Sequence, residues 1–322
     1  MKKTVSTIAL LLAALGATVH ADTVYVTLEK DNALAVVDGE SGKLIKTVPI
    51  GQRPRGIILS KDQKQLYIAV SDDDTIRIYD VDTLKEVGEL PSGEDPETFA
   101  LDPNGERLYI SNEDDNLVTV VDLAKKSMVQ SIPVGIEPEG IAMSSDRQWL
   151  VSLSETTNMV HWIDPKTLKV VDNTLIGTRS RGVTFSPDNK QLWVTSELGT
   201  DALQIIDVAS RKIIKSLNFT IPGVTKEKIQ PVGVVIDPQQ KWGYVAIGPA
   251  NRVAVIDAQK LEVVKYLLVG QRVWNLAFSP DYSRLYTTNG VSNDISIIDL
   301  KSHKVLKSVA VGRYPWGIVA KP

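Results

Sequence analysis

The 322-residue sequence has no cysteine and only three histidines, and it has no apolar run of about 18 residues. Without cysteine there is no disulfide framework, no thiolate metal site and no cysteine nucleophile. One histidine, His20, lies in the N-terminal leader; His161 and His303 fall on different elements, which argues against a two-histidine metal site or a haem ligand. A Gly-Lys-Ser/Thr phosphate loop, a Gly-x-Ser-x-Gly elbow and a dinucleotide-type glycine pattern are missing too. The formal charge of −3 gives no basic face for nucleic acid, and no transmembrane segment is expected. No catalytic residue is assigned, and no bound metal or cofactor is expected.

What is present begins with Lys2 and Lys3, an apolar run from Thr7 to Val19, and the small-residue site Val19-His20-Ala21. This is the pattern of a cleavable signal peptide over residues 1–21, with the mature chain starting at Asp22 and a periplasmic destination.

The rest of the chain repeats one plan. Glycines stand at Gly51, Gly93, Gly135, Gly177, Gly270 and Gly312, and aspartates at Asp38, Asp80, Asp122, Asp164, Asp207, Asp257 and Asp299. The aspartate spacing is 42 residues four times, 43 once and 50 once. Such a period means stacked units that cannot bury their faces alone. Within a unit, Gly56–Ser60 and Leu66–Val70 are short apolar runs, Thr75–Asp80 alternates apolar and polar, and Lys85–Leu90 does so more loosely. Each reads as a strand, and turns such as Asp102-Pro103-Asn104-Gly105 separate them. Four antiparallel strands per 42 residues, seven times over, predict an all-β seven-bladed β-propeller filling residues 22–322 as one domain. Because the chain resumes after the leader at a second-strand motif (Val24-Tyr25-Val26-Thr27) and stops at a first-strand motif (Trp316–Ala320), the C-terminal strand is expected to complete the N-terminal blade. The repeated aspartates are read as turn residues that accept backbone N–H groups.

Tyr25-Val26-Thr27, Val36-Val37-Asp38, Val48-Pro49-Ile50-Gly51 and Pro54-Arg55-Gly56 resemble the YVTN-type propeller repeat. Ser154–Met159, Gly248–Asp257, Val269–Asn275 and Thr287–Asp294 look like the β-propeller family associated with pyrroloquinoline-quinone (PQQ)-dependent catabolism. That resemblance implies a periplasmic binding or scaffold protein, accessory to quinoprotein alcohol oxidation and its transport system. The partners it implies are a quinoprotein dehydrogenase, a cytochrome or an ABC transport component, with PQQ as the cofactor of a partner enzyme. It carries no residue-level mechanism.

A propeller collects equivalent loops around its channel. Two residues after each anchor stand Arg53, Asp95, Glu137, Arg179, Gln230, Arg272 and Tyr314; four after stand Arg55, Glu97, Glu139, Arg181, Val232, Trp274 and Trp316. Glu29, Glu113, Glu155 and Glu197 end the second strands on the same face. Two readings stay open: a solvated rim of ion pairs, or a recognition site for a planar anion or an acidic partner loop. The second centres on Arg53, Arg55, Glu97, Glu139, Arg179, Arg181, Arg272, Trp274 and Trp316. Arg272 and Trp274 have no acidic ring neighbour and mark the sector where an anion is expected. A different class, a lactonase-like metal-assisted hydrolase, would use the glutamate rim. The acidic triplets Asp72–Asp74 and Glu113–Asp115 read as solvated loops. The extra residues of the longest interval, Asn218–Glu227, fall at the channel mouth.

Overall fold

The computed structural model describes residues 22–322, so the signal peptide read over 1–21 lies outside the described residues. Seven four-stranded antiparallel sheets form a ring. The first blade pairs the last strand, Pro315–Lys321, with Thr23–Leu28, followed by Ala33–Asp38 and Lys43–Pro49, so that the two ends of the ring share one sheet. The other six run consecutively, the second beginning at Pro54 and the seventh at Val273. This is the expected fold. Among the described residues no helix is long and apolar enough to cross a membrane.

Each blade's second and third strands are buried on both faces, and their side chains pack against the next blade. Trp162 and Trp193, in the fourth and fifth blades, are fully buried. The repeated aspartates behave as expected: Asp80 accepts from the backbone N–H of Thr83 at 2.8 Å, and Asp207 from Ser210 at 2.8 Å.

The innermost strands are brought together by a glycine five residues after the anchor. A Cβ on Gly56 would strike the carbonyl oxygen of Glu97 in the next blade, and Gly140 stands in the same relation to Arg181. Where the repeat departs from glycine, a polar side chain takes the carbonyl instead: Asn275 Nδ2 donates to Trp316 O at 3.0 Å. Close approach around the channel is thereby built into the repeat.

A second device fixes the mouth. The residue two after each anchor is left-handed at six junctions, with φ of 51° at Arg53 and 56° at Arg272. Its backbone N–H donates to an Asn or Asp side chain in the preceding blade. Asn32 thus holds Arg53 at 3.0 Å, Asp74 holds Asp95 at 2.9 Å, and Asn251 holds Arg272 at 2.9 Å. Asp115 likewise accepts from Glu94 N at 2.7 Å and Asp73 from Gln52 N at 3.3 Å. Of the two acidic triplets, Asp74 thus fastens its blade to the next, while Asp73 and Asp115 bind the connection entering their own blade, and the loops stay at the solvent surface as read from the sequence. At the junction of the fifth and sixth blades this latch is absent among the described residues.

Candidate functional site

The ring positions converge on one channel mouth, but its halves differ. From the second blade to the fifth, guanidiniums and carboxylates interleave below the surface. Arg55 meets Glu97 at 2.5 Å and Glu29 at 3.6 Å. Arg53 pairs with Asp95 and reaches Asp72 at 2.8 Å. Arg181 pairs with Glu139 and lies 2.7 Å from Glu155, and Arg179 lies 2.9 Å from Glu197. Glu97 is fully buried, and Glu139, Glu155 and Glu197 are at most 5% exposed. The solvated-rim reading fits only the outer members, Arg179 and Asp72, whose side chains are about half exposed, whereas Arg55, Arg181 and the four glutamates form an interior network.

Around Arg53, Arg55, Arg179 and Arg181 stand eight carboxylates, those of Glu29, Asp72, Asp95, Glu97, Glu113, Glu139, Glu155 and Glu197. Protons make up the difference. Burial, reinforced by Glu139, pushes Glu155 up to about 10. Burial likewise raises Glu97 well above the usual carboxylate range, against the pull of Arg55, and raises Glu113. Burial also works against the Glu139 carboxylate, but Arg181, a hydrogen bond from Glu155 and Arg55 outweigh it, and its pKa is lowered. The surroundings of Glu139 and Glu155 thus favour opposite states, the ionised form of Glu139 beside Arg181 and the protonated form of the buried Glu155. Asp95, Glu97 and Glu113 bring carboxylate oxygens within 4.8 Å of one another, a grouping able to hold a cation, although Arg53 and Arg55 already supply positive charge there.

The other half, from the sixth blade round to the first, carries Gln230, Val232, Arg272, Trp274, Tyr314 and Trp316. The Arg272 guanidinium stacks on Trp274, 4.3 Å from the ring centroid, and donates to Gln230 Oε1 at 3.0 Å. No ring position in its own or the adjoining blades is acidic, but Glu197, at the end of the fifth blade's second strand, lies 3.5 Å away. The sixth blade's ring positions, Gln230 and Val232, are uncharged, and the glutamate of the fifth blade reaches past them. Compensation is still incomplete. Burial lowers the pKa of Arg272, Glu197 opposes this, and Arg181 and Arg179 add repulsion. Arg53, Arg55 and Arg181 shift the other way, because burial of each cation is outweighed by its carboxylate partners.

Trp274 keeps a half-buried face, and its indole N–H finds no acceptor among the described residues. Trp316, expected beside it as a ligand face, is 5% exposed and lies 5.5 Å from the Arg55 guanidinium, so it is a wall of the site. Glu137, expected to offset the arginines, instead accepts from Thr156 Oγ1. Leu198 and Val291, at the loops that follow second strands, are exposed, as are Leu175 and Leu268 at the ends of outermost strands.

The histidines take structural places. His161 Nε2 accepts from Gly135 N at 2.9 Å and Nδ1 contacts Asn173 Oδ1 at 2.6 Å, while His303 Nε2 contacts Tyr244 Oη at 3.1 Å. The latch residues were missed in the sequence, although Asn32, Asp74, Asn116 and Asn158 recur at the 42-residue period.

Residues 18–132 match the family described as lactonase, 7-bladed beta-propeller. No curated protein matches the chain. In structure it is similar to hydrazine synthase of Kuenenia stuttgartiensis, at 21% identity and a TM-score of 0.77 over 86% of this chain and 92% of that one. A functionally unknown protein from Desulfotomaculum acetoxidans has 15% identity and a TM-score of 0.79, over 92% and 98% of the two chains. Dihydro-heme d1 dehydrogenase NirN, in a complex with DHE, has 18% identity and a TM-score of 0.67 over 89% of this chain and 63% of that one. At these identities the likeness is one of fold.

Proposed function

We propose that the protein is a non-enzymatic periplasmic binding protein whose channel mouth takes a carboxylate onto Arg272 and Trp274. That carboxylate belongs to a planar small molecule or to an acidic loop of a partner. The observation that carries this reading is the asymmetry among the arginines: Arg53, Arg55 and Arg181 have carboxylates within 2.8 Å, whereas Arg272, half-buried like Arg53, has only Glu197, at 3.5 Å. An incoming carboxylate adds negative charge there in a low-dielectric funnel, and the Trp274 face takes a flat body beside it. Exposed Leu198 and Val291, on loops after second strands, suit a partner surface. The sequence resemblance supplies the setting, as an accessory to PQQ-dependent alcohol oxidation and its associated transport.

Calorimetric titration with benzoate, benzene tricarboxylate and PQQ tests the site, beside recovery of bound proteins from periplasm. Arg272→Ala should weaken carboxylate binding by about 1–3 kcal/mol. Equal affinity in the variant, or no carboxylate binding at all, overturns the reading.

A second reading, a lactonase-like hydrolase, is favoured by the partial family match and by the Glu139–Glu155 pair, whose surroundings favour one ionised and one protonated carboxyl. Turnover of a lactone panel with added divalent cations, abolished in Glu155→Gln, would establish it. Absence of turnover leaves the binding reading.

A further inference from the structure

We propose that the junction of the fifth and sixth blades holds a second site, a pocket for a small neutral polyol of about three to five carbons. It does not rest on the reading of Arg272. Both departures from the 42-residue period fall at this junction: one extra residue in the Glu197–Ala202 loop, and the inserted segment ahead of Lys228. The latch found at the other six junctions is absent here among the described residues.

The insertion is built as a wall. Phe219 and Ile221 are buried in the cluster that joins Trp193 and Leu203 of the fifth blade to Val245 and Ile256 of the sixth. Phe219 meets Tyr266 edge to face at 6.5 Å, and Thr220 N donates to Tyr266 Oη at 3.1 Å. Between this wall and the Glu197–Ala202 loop lies a cavity of about 200 Å³. At about 30 Å³ per water, that volume equals about seven waters, so its occupant has roughly seven to ten heavy atoms.

The lining selects the chemistry. Phe219 and Ile229 supply apolar surface, and Ser196, Thr200, Asn218 and Thr220 supply hydroxyl and amide groups. Ser196 is buried, and its Oγ has no hydrogen-bond partner among the described residues. Its counterparts in other blades do have partners: Ser154 meets His161 Nε2 at 3.0 Å, and Asn112 donates to Ser92 at 2.8 Å. Glu197 at the pocket floor already has Arg179 at 2.9 Å, with Arg181 and Arg272 each at 3.5 Å. A cationic guest meets three guanidiniums and an anionic guest meets the carboxylate, whereas neutral hydroxyls meet neither penalty. Lys226, at the rim, is exposed and screened.

The test is an NMR titration of the full-length protein with glycerol, erythritol and xylitol, with acetate and ethylammonium as charged counter-probes. At least one polyol should bind with a Kd of about 10 mM or below. Thr200→Trp, on an exposed loop at the pocket edge, should weaken it about tenfold or more by filling the space. Ser196→Ala should weaken it about fivefold. Absence of polyol binding, indifference to Thr200→Trp, or preference for a charged probe overturns the proposal. If Ser196→Ala fails to fold, the Thr200→Trp result decides.

Discussion

From the second blade to the fifth, the innermost positions are Arg53, Arg55, Asp95, Glu97, Glu137, Glu139, Arg179 and Arg181; from the sixth round to the first they are Gln230, Val232, Arg272, Trp274, Tyr314 and Trp316. Backbone geometry is nearly the same in both arcs, with the same left-handed residue at six of the seven positions. The charged arc is closed upon itself, because every guanidinium there has carboxylates within ion-pair distance and the surplus carboxylates keep their protons. The aromatic arc leaves one cation under-compensated and one indole face half open. Convergent charge alone is therefore a poor guide to a binding site: recognition is argued from incomplete compensation, and the densest charge is the most fully spoken for.

The comparison can be broken most violently by opening the ring. Deleting Trp316–Pro322 removes the strand that pairs with Thr23–Leu28, together with the aromatic wall beside Arg55. The expected loss is several kcal/mol of the roughly 5–15 available to a domain, and unchanged thermal unfolding of the truncated chain would refute the shared blade.

A sharper cut is Glu97→Ala within the charged arc. It removes the nearer of the two carboxylates beside the buried Arg55, leaving Glu29 at 3.6 Å, and should cost about 3 kcal/mol in urea unfolding, the upper end of the scale for a hydrogen bond to a charged group. A loss below about 1 kcal/mol would return the network to the standing of a surface rim.

Arg181→Ala and Arg272→Ala then set the arcs directly against each other. The first should lower stability by about 3 kcal/mol. The second should lower it by less than about 1 kcal/mol, because its lost contacts are offset by release of an under-compensated cation. Equal losses in the two variants would erase the distinction.

A further contrast is in pH dependence. Glu155 titrates near 10 in the folded chain, above its ordinary value, so between those two values the folded state holds a proton that the unfolded state has lost. Its contribution is full in acid and is lost as pH rises through the folded value. Glu155→Gln should flatten the fall in stability between mildly acidic and alkaline pH; an unaltered slope would place that proton elsewhere.

The fold was legible because its repeat is written in glycines and aspartates whose backbone roles are local: a turn needs its Asp80 whatever surrounds it. The ring order of the site was legible too, since equal spacing puts Arg55, Glu97, Glu139 and Arg181 at equal places. Depth was not. Whether Glu97 is on the rim or beneath it depends on how the neighbouring blade covers it, and periodicity says nothing of that. Arg272 shows the same limit, because its acidic neighbour Glu197 comes from two blades away and from a different strand. The latch was visible as a recurrence of Asn and Asp but not as a contact, since each one acts on the following blade.

Six junctions of the ring are fastened by an amide hydrogen bond, and the seventh by a phenylalanine and an isoleucine pressed into an apolar seam. These fasteners respond differently to temperature, because burial of apolar surface loses strength on cooling. Apolar clusters join the other blades too, so what sets the seam between the fifth and sixth apart is that apolar packing acts there without the latch. Hydrogen exchange followed from room temperature down towards freezing should show protection falling there before it falls at the latched junctions, and a uniform fall would mean that the latch adds nothing.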